Sequence, residues 1–246
     1  MEKKTSVDYT VLVRDTDFSL HSSLESVGNI FMNAAGLDAE RKGFGMDALH
    51  KQGLAWVALR IYIKVNSYPA AFEKLQVSTW VENWTKLTTQ RDCILSDLDG
   101  KTLVEVSSLW AVIDFNSRQP VNLQEALPSY GPWLLDEKLS IRPPEKVRLL
   151  TNPELVATRK VVYSDIDSNM HATSFKYVSW ILDTVPLEVF QKQFVSDFEI
   201  NYVKECRYGE TVQIFREQIG ENVYAYDIRN QENSSLNRCK LTFSNL

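Results

Sequence analysis

The sequence has few cysteines and no long apolar run. Its three cysteines, Cys93, Cys206 and Cys239, lie far apart in 246 residues. This spacing excludes a disulfide framework and a Cys-x-x-Cys metal site, and it is typical of a reducing compartment. No segment approaches the roughly 20 apolar residues of a membrane span, and the first residues include no apolar stretch long enough for a signal peptide. We therefore expect a cytoplasmic protein with no membrane span.

An excess of basic charge and the common cofactor motifs are also lacking. The chain has 27 lysines and arginines against 32 acidic residues, and its net charge of −5 would repel the phosphates of nucleic acid. There is no Gly-x-Ser-x-Gly, P-loop or His-Glu-x-x-His motif, and the histidines His21, His50 and His171 are too dispersed for a zinc site. We expect no nucleic-acid partner, no cofactor and no metal.

Strand-forming segments, by contrast, are abundant. Hydrophobic residues make up 44% of the chain, and its length allows one large domain or two of roughly 100–150 residues. Between Leu54 and Phe115, four stretches rich in β-branched and aromatic residues predict long strands, and Asp99-Gly100 predicts a two-residue hairpin turn between the last two. Five further strands are predicted at residues 158–164, 197–204, 210–218, 223–229 and 236–243.

Helices are predicted in only two places. Over residues 22–35, apolar residues recur at helical spacing, with Ser22 or Ser23 as the cap and Gly36 as the end. The second predicted helix covers residues 174–185 and stops before Pro186. Between the two halves, residues 116–153 hold most of the eight prolines and predict an irregular connector.

The sequence repeats itself at a distance of 150 residues. Residues 10–17 align with residues 160–167. In both copies a short apolar strand is followed by Asp-x-Asp-x-x-x-His, which starts at Asp15 and at Asp165, then by a helix and several long strands. Two copies of one unit, in which a curved antiparallel sheet wraps around a helix, predict a fold of the α+β class.

Only the second copy carries a full set of polar groups. It has Asn169 where the first copy has Ser19, and it has Glu205 and Cys206 at a strand end. The comparable stretch of the first copy contains no acid. One copy is therefore expected to be active and the other to be supporting.

The residues Asp167, Asn169 and His171 are spaced at i, i+2 and i+4 directly before the second predicted helix. Free backbone N–H groups at a helix start favour negative charge. A carboxylate, an amide and an imidazole there suit acyl transfer, because the attacked carbonyl oxygen gains negative charge. Glu205, from another strand, could act as general base on a water or orient it. The sequence leaves open whether Asp167 or Glu205 acts on the water directly. Taken singly, such residues also occur as helix caps or solvated charges, and it is their combination that indicates catalysis.

Residues 164–186, SDIDSNMHATSFKYVSWILDTVP, resemble the signature of the acyl-ACP thioesterases, a family of tandem hot dog domains. Similarity to the family's first domain extends over residues 53–69, 90–101 and 107–123 and over the strand that contains Trp80. The resemblance implies two hot dog folds, each an antiparallel sheet wrapped around a central helix. The expected domains are an N-terminal one at residues 1–130 with the acyl-chain pocket, a connector at 131–153, and a C-terminal one at 154–246 with the catalytic residues.

By this resemblance, Asp167, Asn169 and His171 match the family's catalytic Asp-x-Asn-x-His element. Glu205 matches the acid of a Glu-Cys pair in which Cys206 is an accessory residue. Such enzymes hydrolyse the thioester between a fatty acid and the phosphopantetheine arm of acyl carrier protein (ACP), which terminates fatty acid synthesis. We expect this activity and this partner.

The resemblance also implies where the substrate binds. The helix at residues 22–35 and the strands after Leu54 are expected to line the acyl chain, and Thr173 and Ser174 replace two asparagines of the plant members. Because ACP is acidic, a local basic patch is expected. Its candidates lie in or near the second half: Arg142, Lys146, Arg148, Arg159, Lys160, Lys176, Lys204 and Arg207.

Two alternatives stay open at this point. The first keeps the chemistry and changes the carrier or the reaction, giving an acyl-CoA thioesterase or a hot dog dehydratase. The second is a non-catalytic acyl-binding module that has kept the fold. The tandem repeat allows either a monomer or a homodimer.

Overall fold

The computed structural model describes residues 2–167 and 169–246. The chain divides into two compact units, Met1–Pro144 and Glu145–Leu246. The division lies inside the range 131–153 that the sequence predicts as a connector. Each unit is described by itself below.

The first unit is a five-stranded antiparallel sheet with one long helix. Its strands follow the order β1-β3-β4-β5-β2 across the sheet. They are β1 (Thr5–Thr10), β2 (Leu54–Val65), β3 (Lys74–Trp84), β4 (Thr89–Asp97) and β5 (Thr102–Asp114). The helices are α1 (Leu24–Arg41), α2 (Met46–His50) and α3 (Leu123–Ala126), with 3₁₀ turns at Val13–Asp15 and Gly131–Trp133.

Helix α1 begins where the sequence predicts but ends later. The side chain of Ser23 caps its first turn, as expected for a serine at this position. The prediction that Gly36 ends the helix is wrong, because the buried face continues to Asp38 and beyond. The Asp38 carboxylate accepts a hydrogen bond from Arg91 at 2.7 Å and pairs with Lys42 at 2.6 Å, which holds the last turns in place.

The hairpin between β4 and β5 forms as predicted, with a wider turn. The N–H of Asp97 donates to the carbonyl of Lys101 at 3.1 Å, so three residues rather than two lie between the bonded pair. The Asp97 carboxylate accepts the N–H groups of Asp99 and Lys101. Within this loop only Gly100 has a positive φ, of 84°. The common two-residue hairpin turn requires a positive φ at both of its central positions.

The second unit has the same topology as the first. Its strands are β6 (Glu154–Lys160), β7 (Gln193–Tyr202), β8 (Thr211–Gly220), β9 (Val223–Asn230) and β10 (Ser235–Asn245). Their order, β6-β8-β9-β10-β7, matches the first unit strand for strand. Helices α4 (Lys176–Leu182) and α5 (Leu187–Phe190) and a 3₁₀ turn at Tyr163–Asp165 complete it. The 150-residue repeat is therefore confirmed in the strand order and in the position of the 3₁₀ turn.

Two elements of the second unit end earlier than predicted, and the first of them, β6, also begins earlier, at Glu154. The first strand stops at Lys160 instead of residue 164, because Asp165 accepts the N–H of Val162 at 2.8 Å and bends the chain into the 3₁₀ turn. The helix predicted at residues 174–185 covers only Lys176–Leu182. Beyond Leu182, two N–H groups bond to carbonyls three residues back, which tightens the chain before Pro186.

Residues 135–153 form no helix or strand, and side chains of the sheets hold their backbone. In the first unit, Ser140 donates its N–H to Glu105 at 2.9 Å. In the second, Thr151 donates its N–H to Glu217 at 2.6 Å. Carboxylates thus satisfy backbone groups that a regular element would pair internally.

The five antiparallel strands of each unit, together with few helices, confirm the α+β class. The core of the first unit includes the fully buried Trp80, Phe31 and Ile61, and that of the second includes Trp180 and Phe198. Within the described residues, none of the helices combines the length and the apolar character that crossing a bilayer requires.

Candidate active site

A tight turn between β6 and α4 carries three of the candidate residues. The N–H of Asp167 donates to the carbonyl of His171 at 2.8 Å, and the N–H of Met170 donates to the carbonyl of Asp167 at 3.0 Å. The Asp167 carboxylate in turn accepts the N–H groups of Asn169 at 2.8 Å and of His171 at 3.2 Å. One carboxylate oxygen of Asp167 therefore fixes the backbone of the two residues, Asn169 and His171, that carry the amide and the imidazole.

The expectation that this motif lies in a helix cap is wrong. Helix α4 begins only at Lys176, and its N-cap residue makes no side-chain cap. The intervening residues act through their backbone. The N–H of Thr173 donates to the carbonyl of Asp165 at 2.8 Å, and the carbonyl of Ser174 accepts the hydroxyl of Tyr202 at 2.9 Å. The negative charge of Asp167 is stabilised by N–H groups of its own turn instead.

His171 and Glu205 come together from separate elements. The imidazole Nε2 lies 3.4 Å from the carboxylate Oε2, and the two side chains are 16% and 39% exposed. An isolated antiparallel bridge between His171 and Arg207 brings the two segments side by side. Asp167 and Asn169 lie exposed on the same turn. The structure thus gathers an imidazole and an accessible carboxylate beside an exposed amide.

Cys206 lies behind this pair and is fully buried. Its Sγ is 3.2 Å from the hydroxyl oxygen of Tyr177. Burial raises the pKa of the Cys206 thiol to about 11, so the group remains a neutral thiol near pH 7. An accessory position fits this environment better than a nucleophile does.

A buried cluster that the sequence reasoning missed supports the turn. The Asp165 carboxylate accepts the indole N–H of Trp180 at 3.2 Å and lies 3.4 Å from Arg159. The Arg159 guanidinium stacks 4.6 Å above the Trp180 ring. Trp180 and Tyr177 are both buried. In the sequence, these two residues are recognisable only as aromatic side chains with a hydrogen-bonding group shortly after the motif. Such residues on a helix are also typical of an ordinary hydrophobic core.

The first unit contains the same turn without the same chemistry. Its Asp17 carboxylate accepts the N–H of Ser19 at 2.8 Å, and the N–H of Asp17 donates to the carbonyl of His21 at 2.9 Å. Leu20 has a φ of 60°, against 63° for Met170. The backbone of the turn is thus repeated almost bond for bond.

The position of Glu205 is taken by Tyr68 in the first unit. In the first unit, Ser22 follows the motif histidine and donates its N–H to the carbonyl of Pro69 at 2.7 Å. In the second unit, Ala172 follows the motif histidine and donates its N–H to the carbonyl of Cys206 at 2.9 Å. Tyr68 precedes Pro69 as Glu205 precedes Cys206. Burial, and then the charge of Asp17, raise the pKa of Tyr68, so the phenol remains neutral. The first turn lacks the acid, as the sequence comparison expects.

Metal ligands do not gather at either turn. Over residues 2–167 and 169–246, no group of three or more His, Cys, Asp or Glu side chains is arranged to hold a metal ion.

Comparisons with known proteins show which family models and which relatives this chain is similar to. The family model described as the acyl-ACP thioesterase N-terminal domain matches residues 2–129, and that of the C-terminal domain matches residues 151–245. An acyl-[acyl-carrier-protein] hydrolase, FATB3, of Cuphea viscosissima is 28% identical over 243 residues, which covers 91% of this chain and 55% of that protein. The chain spans about half the length of the curated relatives it matches first.

Two solved structures are similar over nearly the whole chain. A crystal structure of an acyl-ACP thioesterase from Bacteroides thetaiotaomicron has a TM-score of 0.92 and 31% identity, with 98% of each chain covered. A 12:0-ACP thioesterase from Umbellularia californica has a TM-score of 0.89 and 20% identity, with 100% of this chain and 99% of that one covered. The second likeness concerns the fold alone.

Proposed function

The chain belongs to the acyl-ACP thioesterase family, and from that premise we propose that it hydrolyses fatty acyl-ACP and releases the free fatty acid. The tandem hot dog fold expected from the resemblance is confirmed by the solved relatives. The observation that carries the proposal is the His171–Glu205 pair, 3.4 Å apart, beside the turn organised by Asp167. A general base must lie within hydrogen-bond reach of the proton that it takes, and apo geometry is often slightly long.

In the proposed reaction a water oxygen bonds to the acyl carbon and the carbon–sulfur bond breaks. The proton removed from the water ends on the departing phosphopantetheine sulfur. We assign its transfer to the pair of Glu205 and His171, because a carboxylate in contact with an imidazole can accept a proton and return it. Removal of such a general base typically lowers the rate by about 10²- to 10⁴-fold.

The turn supplies the groups that face the acyl oxygen. Asp167 already accepts two backbone N–H groups, so we assign it to holding the turn rather than to taking the water's proton. The exposed amide of Asn169 can donate to the carbonyl oxygen as negative charge develops on it. Loss of one donor of this kind costs about 10²- to 10³-fold in turnover.

The test is release of fatty acid from a series of acyl-ACP substrates, followed by mass spectrometry. His171→Ala and Glu205→Gln should lower turnover by at least about 10²-fold, and Asp167→Asn should also reduce it strongly. His21→Ala is the matched control, because His21 occupies the equivalent turn of the first unit, and it should retain wild-type turnover. Wild-type rates in Glu205→Gln, or an equal loss in His21→Ala, would contradict the assignment.

The same assay decides which carrier is used. The exposed Lys204 and Arg207 flank Glu205 in the sequence, and Lys160 is also exposed, whereas Arg148 and Arg159 are engaged with acids of their own unit. We propose the three exposed cations as the contact for acidic ACP. Added salt and Lys204→Glu should then raise KM for acyl-ACP. An acyl-CoA turned over faster than acyl-ACP would change the proposed carrier and leave the chemistry intact.

We further propose that the protein works in a reducing compartment such as the cytoplasm. The three cysteines are free and buried thiols, which suits such a compartment. Cell fractionation tests the location, and sedimentation tests the choice between monomer and homodimer.

A further inference from the structure

Glu205 lies on a segment that continues beyond the end of strand β7. Strand β7 ends at Tyr202, and residues 203–206 form no strand. Before Glu205, the N–H groups of Val203 and Lys204 both donate to one carbonyl, that of Leu236, at 2.9 Å. The position of the Glu205 carboxylate therefore depends on what holds the backbone after it.

One anchor on the following side is Tyr177, from helix α4, in addition to the bridge between His171 and Arg207. Its hydroxyl oxygen accepts the N–H of Cys206 at 3.3 Å and lies 3.2 Å from the Sγ atom. The tyrosine is only 3% exposed, and its ring packs edge-on against Trp180 at 5.0 Å between centroids. Burial raises the pKa of the Tyr177 phenol, so the group is a neutral hydrogen-bonding partner and not a titrating one.

Cys206 connects this anchor to the catalytic turn. Its N–H is held by Tyr177, and its carbonyl accepts the N–H of Ala172, the residue next to His171, at 2.9 Å. The backbone of this one residue thus ties helix α4, the turn and the Glu205 segment together. We propose that Tyr177 is a positioning residue that acts through the Cys206 backbone to keep Glu205 against His171. This inference rests on the proposed function.

The inference gives the hydroxyl of Tyr177 a role in turnover. In Tyr177→Phe the Cys206 N–H loses its acceptor in a buried place, and the segment relaxes. A displacement of about 1 Å in a reacting group can cost about 10²-fold in rate. We expect kcat to fall about 10- to 100-fold, with KM for acyl-ACP unchanged, because the residue does not contact the substrate.

Tyr226→Phe is the matched control. Tyr226 is also buried in the second unit, at 1% exposure, and its hydroxyl bonds to Thr184 and Arg216 rather than to the site. Both variants should lower Tm by similar amounts, and only Tyr177→Phe should lose kcat. An equal kcat loss in the two variants, or none in Tyr177→Phe, overturns the inference.

A double-mutant cycle tests whether the effect passes through Glu205. In the Glu205→Gln background, Tyr177→Phe should cost less than about threefold, because the carboxylate that it positions is gone. A full 10- to 100-fold loss in that background overturns the inference.

A crystal structure of Tyr177→Phe measures the position of the Glu205 carboxylate without relying on activity. The Glu205–His171 separation should exceed the 3.4 Å of the unaltered protein, and an unchanged separation contradicts the inference. If the unaltered protein releases no fatty acid from acyl-ACP, the proposed function fails, and the separation still decides the positioning role.

Discussion

Replacing Cys206 by alanine is expected to leave most of the hydrolytic activity. Burial holds the pKa of this thiol at about 11, so the thiolate share at pH 7 is about 10⁻⁴. Forming the thiolate there costs about 5 kcal/mol before any attack on the acyl carbon. The route that we propose through Glu205 and His171 avoids this cost. Alanine also keeps the N–H that Tyr177 accepts and the carbonyl that receives Ala172, and loss of the small buried side chain should lower stability by about 1 kcal/mol.

The assay is the pH dependence of kcat on acyl-ACP for the unaltered protein, Cys206→Ala and Glu205→Gln between pH 6 and 9. Cys206→Ala should stay within about threefold of wild type, and Glu205→Gln should lose about 10²- to 10⁴-fold. A thiolate nucleophile would instead give a rate that rises about tenfold per pH unit over this range. That rise, together with an acyl group trapped on Cys206 and an inactive but folded Cys206→Ala, would refute the reasoning.

Two predictions concern buried charges of the first unit. Asp38→Ala should lower the free energy of unfolding in urea by about 3–5 kcal/mol, because Arg91 and Lys42 lose the buried carboxylate that both contact. Burial, and then a hydrogen bond with Glu82, raise the pKa of Asp92 to about 7. An acid with a raised folded pKa costs no stability below its unfolded pKa, near 4, and destabilises the fold as pH rises toward and through 7. Asp92→Asn should therefore raise Tm at pH 8.5 and leave it unchanged at pH 4.

Controls separate these effects from general damage. Glu154→Ala removes an exposed ion pair with Arg216 and should change stability by less than about 1 kcal/mol. If Asp38→Ala also lowers the free energy of unfolding by less than about 1 kcal/mol, the reasoning on the buried contacts of Asp38 with Arg91 and Lys42 is contradicted. For Asp92→Asn, the same Tm change at both pH values excludes ionisation as its cause.

Much of the architecture could be predicted because its signals are local. Alternating β-branched and aromatic residues indicated the long strands, and the 150-residue repeat indicated two units of one topology. The end of α1 could not be predicted, since one of the groups that hold the buried Asp38 carboxylate is Arg91 on β4. That partner is distant in the sequence, and no local pattern connects the two.

The local geometry of the candidate site could be predicted in part, and the contacts that support it could not. The turn from Asp167 to His171 is encoded locally, because one aspartate side chain accepts the N–H groups that follow it. The pairing of His171 with Glu205 depends on where β7 ends, and the sequence suggested it only through comparison of the two copies and the family resemblance. The role of Tyr177 could not be predicted, since the sequence pattern of a buried helix face does not indicate which group the tyrosine hydroxyl bonds to.

The duplicated turn gives this protein an internal reference. His21 and His171 lie on nearly the same backbone. Glu205 is 3.4 Å from the His171 ring, and Tyr68 takes the equivalent backbone position in the first unit. Nuclear magnetic resonance of the two imidazoles in a single sample would compare them at identical temperature, salt and pH. The difference between their resonances then measures the combined effect on a ring of two side-chain exchanges, Tyr68 for Glu205 and Ser19 for Asn169, on nearly the same backbone.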